Sequence, residues 1–155
     1  MVLYLDIDGS LILTTERHLA SNCVVGLGCL EFLQFATKHF DCRWLTFHAR
    51  KGFTNNVSRV FRQAIGVNAL PAEWQIVIDQ IKPAPWCRYK TDGIDFGSDF
   101  YWLDDAASDY DQQILAERNM SNRLIKAHLN HFASDLYRVR EILDDVISSK
   151  ASLTA

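Results

Sequence analysis

Short apolar runs that end abruptly in polar or acidic residues, separated by apolar residues at helical spacing, constrain this chain more than any other feature. Val2-Leu3-Tyr4-Leu5 runs into Asp6, the segment closing on Leu45-Thr46-Phe47 forms a second such run, and Phe100-Tyr101-Trp102-Leu103 runs into Asp104-Asp105. Each reads as a strand. Between the first two, Leu27, Leu30, Phe32, Leu33 and Phe35 predict a helix from about Gly26 to His39. Val57, Val60, Phe61 and Ala64 predict another, capped by Asn55 or Asn56 and ended by Gly66. Strands alternating with helices imply a parallel sheet covered on both faces, an α/β, three-layer, Rossmann-like arrangement. Ligands of such sheets bind beyond the carboxyl ends of the strands.

The remaining segments fit that plan unevenly. Leu11-Ile12-Leu13-Thr14-Thr15 reads as a short hairpin or flap, and Trp74-Gln75-Ile76-Val77-Ile78 as either a third strand or a short helix. Lys82-Pro83-Ala84-Pro85 is expected to be irregular, since neither proline continues a helix. A helix is expected from about Asp109 to Glu117, a last short strand at Leu124-Ile125-Lys126-Ala127, and a final helix capped by Ser134 that carries Leu136, Val139, Ile142, Leu143 and Val146. At 155 residues, 48% of them apolar, the chain is long enough for one sizeable core and short for two. One domain over residues 1–148 is expected, with a frayed tail over 149–155, where the residues are small and polar.

Net charge is −3 with a pI near 5.9, so the composition offers no electrostatic footprint for nucleic acid beyond a local cluster at Arg50-Lys51. Cys23, Cys29, Cys42 and Cys87 show no C-x-x-C spacing and lie in or beside apolar sequence, as reduced cysteines do. Neither a bilayer-length apolar stretch nor a basic leader with a hydrophobic segment is present, and a cytoplasmic protein without membrane attachment is expected. His18, His39, His128 and His131 make no metal-ligand spacing with any Cys, which disfavours zinc.

The chemistry concentrates at Asp6-Ile7-Asp8-Gly9-Ser10. Gly9 breaks the strand at once, so Asp8 need not follow the pleat and can turn back toward Asp6. Two anions held close repel and perturb each other's proton affinity unless a cation intervenes. The adjacent pair Asp104-Asp105 poses the same problem at another strand end.

With Thr46 ending one strand, Lys90 in Tyr89-Lys90-Thr91-Asp92, and Asp104-Asp105 followed by Asp109, the chain resembles the haloacid dehalogenase (HAD) superfamily of phosphohydrolases. Its four motifs stand here in order over roughly the first two-thirds of the chain, with Ser10 a tolerated variant in the first. The resemblance implies that Asp6 is a nucleophile forming an aspartyl-phosphate and that Asp8 protonates the leaving oxygen and later activates water. It further implies that Thr46 and Lys90 hold the transferring phosphoryl group. Mg²⁺ would be bound by Asp6, Asp8 through its backbone carbonyl, and Asp105 with Asp104, either of which could touch the ion directly. Asp109 would orient Lys90 or water. Lys82 is the rival for the lysine role. Gly9, Phe47, His48 and Arg50 would lie at the rim, on the substrate side.

Many relatives insert a cap domain between these motifs, but here each gap holds only about forty residues, which a flap, a helix and a strand use up. A capless, open site implies a large substrate or a partner that supplies the lid. A phosphoprotein or a nucleotide or polynucleotide phosphate would qualify, the latter slightly ahead because capless relatives occur in nucleic-acid repair. Trp44, Phe47 and Trp102 are candidates for base stacking, against the alternative that they belong to the core. Two other classes compete: a phosphoryl-accepting signalling module, in which the acidic pair would come early in the chain, and a catalytically idle binding domain.

Overall fold

Alternate residues of the first strand part to opposite sides of a sheet, and each set finds its own core. In the computed structural model, which describes residues 1–13 and 23–153, β1 (Val2–Leu5) is the centre of a five-stranded parallel sheet. Its neighbours are β4 (Asp41–Trp44) and β6 (Phe100–Asp104), and β5 (Lys82–Pro83) and β7 (Leu124–Lys126) form the edges, giving the order β5-β4-β1-β6-β7. Leu3 and Leu5 point into the larger core, with Phe32 and Leu33 of α1 (Cys29–His39), Val57 and Phe61 of α2 (Asn55–Ile65), Trp74 and Ile78 of α3 (Ala72–Gln80), and Leu136 and Leu143 of α5 (Asp135–Leu153). Tyr4 faces the other way, into a smaller core with Phe100, Trp102, Trp86, Ile94 and Leu115 of α4 (Asp109–Glu117). The second face is thus covered by one helix and the irregular chain around residues 84–96. Of the hairpin or flap expected over Leu11 to Thr15, Ile12–Leu13 is a strand, β2, whose antiparallel partner is the more distant β3 (Val24–Val25); Thr14 and Thr15 lie outside the described residues.

Of the two readings open for Trp74 to Ile78 the structure takes the helix: Trp74, Val77 and Ile78 are buried at i, i+3 and i+4, which only a helical period brings to one side. Other expectations are corrected. Lys82-Pro83 is a strand, paired with Arg43-Trp44 at the sheet edge, where a proline's missing N–H leaves no ladder bond unmade. The second strand stops at Trp44; Leu45 still donates to the Leu5 carbonyl, but Phe47 opens a 3-10 turn, Phe47–Ala49. The helix after it starts behind Thr54, not Asn55 or Asn56, and no side chain caps it. The last helix, α5, runs past Ser148 to Leu153, with Lys150 paired to Asp99 and Ile147 packed on the larger core.

The topology places the chemistry. The chain steps from β1 outward to β4 and β5, then returns to the opposite side of β1 with β6 and β7, so the crossover direction reverses between β1 and β6. Leu5 pairs with Leu103, which sets Asp6 and Asp104 side by side at the carboxyl ends flanking that reversal. A crevice forms at such a point because the connections leave it on opposite faces.

Candidate active site

Asp6 continues β1 by one residue and donates its N–H to the Leu103 carbonyl at 3.0 Å, so its position is fixed by the sheet. Its carboxylate is buried, and burial pushes its pKa up to about 7; Lys90 pulls it back and Asp104 pushes it further up. Lys90 opens a 3-10 turn, Lys90–Gly93, and its Nζ lies 2.8 Å from Asp6 Oδ1 and 2.6 Å from Asp104 Oδ2. Burial depresses the Lys90 ammonium, but the charges of Asp6 and Asp104 outweigh it and raise the pKa on balance. Of the two candidate lysines, it is Lys90 that reaches the acids; Lys82 is exposed on the edge strand.

Asp104 is almost completely enclosed. Besides Lys90 it accepts from Trp102 Nε1 at 3.1 Å and from the Ala106 N–H at 2.9 Å. Asp105 is partly buried at the cleft, its pKa raised first by burial and then by the neighbouring charge of Asp104. Oxygens of Asp6, Asp104 and Asp105 lie within 4.8 Å of one another, a spacing that could hold a metal ion. The Asp8 carboxylate is outside this trio: its Oδ2 is 2.8 Å from His48 Nε2, at the rim.

The turn that separates the two acids depends on one glycine. Gly9 has φ +74° and donates to the Ile12 carbonyl, while Ser10, Leu11 and Ile12 all donate to the carbonyl of Ile7, closing a tight loop. A Cβ at Gly9 would run into the Asp105 carboxylate. Gly9 therefore contributes room for Asp105 and the left-handed backbone that throws Asp8 outward.

These groups open onto a cleft of about 480 Å³ lined by Asp6, Asp8, Lys90, Asp104 and Asp105 at its base and by Phe47, Trp86, Arg88 and Tyr89 along its wall. Thr46 sits behind that wall, fully buried, its hydroxyl without a hydrogen-bond partner among the described residues; its carbonyl accepts from Trp86 Nε1 at 3.4 Å. Phe47 is 67% exposed and meets Trp86 edge-on at 4.8 Å, and the Arg50 guanidinium lies 4.3 Å over the Trp86 ring. Trp44 and Trp102 are both core residues with no exposed surface.

Sequence reasoning overlooked Asp111 and, Phe47 apart, the wall of the cleft. Asp109 is exposed on the first turn of α4; the residue that fixes the lysine turn is Asp111, whose Oδ1 accepts from the Thr91 N–H at 2.9 Å and from the Thr91 hydroxyl at 2.8 Å. Ser108 caps α4 through the Asp111 N–H and donates its hydroxyl to Asp111 Oδ2. Ser108-x-x-Asp111 is a helix-start signature visible in the sequence, but nothing local shows that its acid also reaches across to residue 91. Trp86, Arg88 and Tyr89 follow the prolines in an irregular stretch where periodicity carries no signal.

Comparisons with known protein families, curated proteins and solved structures found no match to this chain.

Proposed function

We propose that the protein is a Mg²⁺-dependent phosphomonoester hydrolase of the HAD type, working through an aspartyl-phosphate on Asp6. The observation that carries this reading is the meeting of Asp6, Asp104, Asp105 and Lys90 at the reversal point of the sheet, from three segments far apart in the chain. Three buried or half-buried carboxylates against one ammonium leave negative charge uncompensated, which a divalent cation would neutralise. All-oxygen donors suit Mg²⁺, and Asp6, Asp105 and Asp104 would hold it; Asp105 is the freer partner, because Asp104 already accepts from three donors. When bound, the ion supplies charge screening that lets an anionic phosphoryl group approach an anionic nucleophile.

This chain's own residues perform the rest. An Asp6 oxygen forms a bond to phosphorus as the ester bond breaks, and Asp8 gives its proton to the departing alkoxide. Asp8 then takes a proton from water as that water attacks the phosphorus of the acyl phosphate, freeing phosphate and restoring Asp6. His48, in contact with Asp8 at the rim, holds its carboxylate toward the cleft mouth. Lys90 supplies a fixed positive charge to the phosphoryl oxygens, while Thr46, which the resemblance assigns to the same group, keeps its hydroxyl buried outside the cleft lining.

Among the described residues no cap domain stands between these motifs, which belongs to the same reading. The described residues between Asp8 and Thr46 are taken up by the β2–β3 ladder, α1 and β4, and those between Thr46 and Lys90 by α2, α3 and β5. An open cleft favours a large phosphorylated substrate.

The test is hydrolysis of aryl phosphates by purified protein with Mg²⁺. Turnover that disappears with chelator and falls by at least ~10³-fold in Asp6→Asn supports the enzyme, because removal of a covalent nucleophile costs about that much. A stable phosphoryl label on Asp6 without turnover would instead make it a signalling module, and metal-independent inactivity across a broad phosphoester panel would leave only a binding domain.

A further inference from the structure

The overall charge conceals a segregation. From residue 42 to residue 72 there is no Asp or Glu, while Arg43, Arg50, Lys51, Arg59 and Arg62 all fall there, in a chain whose net charge is −3. Arg43 pairs with Asp41 and Arg50 packs on Trp86, but Lys51, Arg59 and Arg62 are exposed and have no carboxylate partner among the described residues. This acid-free stretch comprises the 3-10 turn at the cleft wall and α2, which pack on each other. Ser58, Arg59 and Arg62 line a surface groove along α2 with Asn68 and Gln75, so its walls offer guanidinium, hydroxyl and amide donors and no acid.

Aromatic surface is interleaved with these cations. Phe47 is 67% exposed beside the cleft and Phe53 is 71% exposed between Lys51 and the start of α2. Exposed rings set among arginines and lysines are what single-stranded nucleic acids bind: the cations take the phosphates and the rings stack on bases. An acidic phosphopeptide would use the cations but gives no reason for the rings.

We propose that the face formed by the Phe47–Ala49 turn, residues 50–53 and α2 binds a single-stranded polynucleotide and leads its terminal phosphomonoester into the Asp6 cleft. The hydrolysis rests on the phosphatase reading above; the docking surface does not. With the cations outside the cleft, binding here adds affinity for a chain of nucleotides and none for a small ester.

Two measurements test it. The first compares phosphate release from terminally phosphorylated oligothymidylate 12-mers with hydrolysis of p-nitrophenyl phosphate. The oligonucleotide is expected to be preferred, and R59A/R62A is expected to lower kcat/KM for it by about tenfold or more while changing aryl phosphate hydrolysis less than about twofold. The second is anisotropy binding of unphosphorylated oligothymidylate to Asp6→Asn over a salt series. Loss of two phosphate contacts in R59A/R62A should make the log–log slope shallower by about 1.4, at ~0.7 per contact for single strands. Aryl phosphate turnover with no oligonucleotide preference and no effect of R59A/R62A would overturn the proposal and leave the phosphatase reading standing. Oligonucleotide binding with the stated slope but no turnover of any ester would retain the surface and overturn the phosphatase reading. Faster release from phosphopeptides than from oligonucleotides would also overturn the proposal, in favour of a protein substrate.

Discussion

Asp6 is asked to do two opposed things: to sit in the sheet interior, which favours its protonated form, and to be an anion when substrate arrives. Its pKa, pushed up to about 7 by burial, is the measure of that conflict in the metal-free protein. A cation at the Asp6, Asp104 and Asp105 oxygens would remove it by stabilising the ionised form. Mg²⁺ binding at about pH 6 is therefore expected to release protons, seen calorimetrically as a dependence of binding heat on buffer ionisation enthalpy; the same heat in every buffer would contradict it. Gly9 is the second residue with a single acceptable identity. Gly9→Ala must place a Cβ at φ +74° against the Asp105 carboxylate, so it is expected to lose about 1–2 kcal/mol in denaturant unfolding and to bind Mg²⁺ more weakly.

At the scale of elements, the lysine turn is the part most dependent on a distant partner. The turn that carries Lys90 is held within itself by Asp92, which accepts from the Arg88 and Tyr89 N–H groups, and is tied to α4 by Asp111 at Thr91, Asp111 being itself fixed by the Ser108 cap. Asp111→Ala leaves the buried Thr91 N–H and hydroxyl without their acceptor, at a cost of about 2–3 kcal/mol. Its turnover is expected to fall about tenfold through a displaced Lys90, with Asp111→Asn recovering most of both losses. Equal losses in the two variants would show that charge, not position, matters there. The same scale explains which elements the sequence discloses. Phe100–Asp104 and Asp109–Glu117 are readable because each carries its own period or cap, whereas Ala72–Gln80 shows five residues of mixed pattern until the burial of Trp74, Val77 and Ile78 on α1 and α2 selects the helix.

For the molecule as a whole, the acidic cluster costs stability that a ligand can return. Because the folded pKa of Asp6 lies above its unfolded value of 3.8, the native state holds a proton that the unfolded chain has lost between about pH 4 and pH 7. Metal-free stability is thus expected to fall as pH rises through that window, opposite to the usual carboxylate, and to be read from thermal unfolding midpoints. Mg²⁺ at one fixed concentration, about 100 times its Kd at pH 7, should add ~2.7 kcal/mol there and raise the midpoint by about 5–10 °C, with a smaller rise at the same concentration at pH 4.5, where the protonated acids weaken binding. An equal shift at both pH values would place the ion elsewhere.

Four of the sheet's five strands and the location of acids at strand ends were determined by the sequence alone, because a strand's length and the residue that follows it are matters of covalent adjacency, and the alternation with helices set their parallel sense; Lys82–Pro83 was legible only as a break. Asp6 cannot be anywhere but at the mouth of β1, nor Asp104 anywhere but at that of β6. Only the tertiary structure decided that Lys90 and not Lys82 meets them, that Asp8 faces His48 while Asp105 joins the cluster, and that Phe47 is exposed where Trp44 and Trp102 are core. Those outcomes are contacts between residues 14, 40 or more positions apart, whose meeting depends on strand order and turn geometry. No local pattern encodes which of two similar side chains the closed fold will bring within 3 Å of a buried charge.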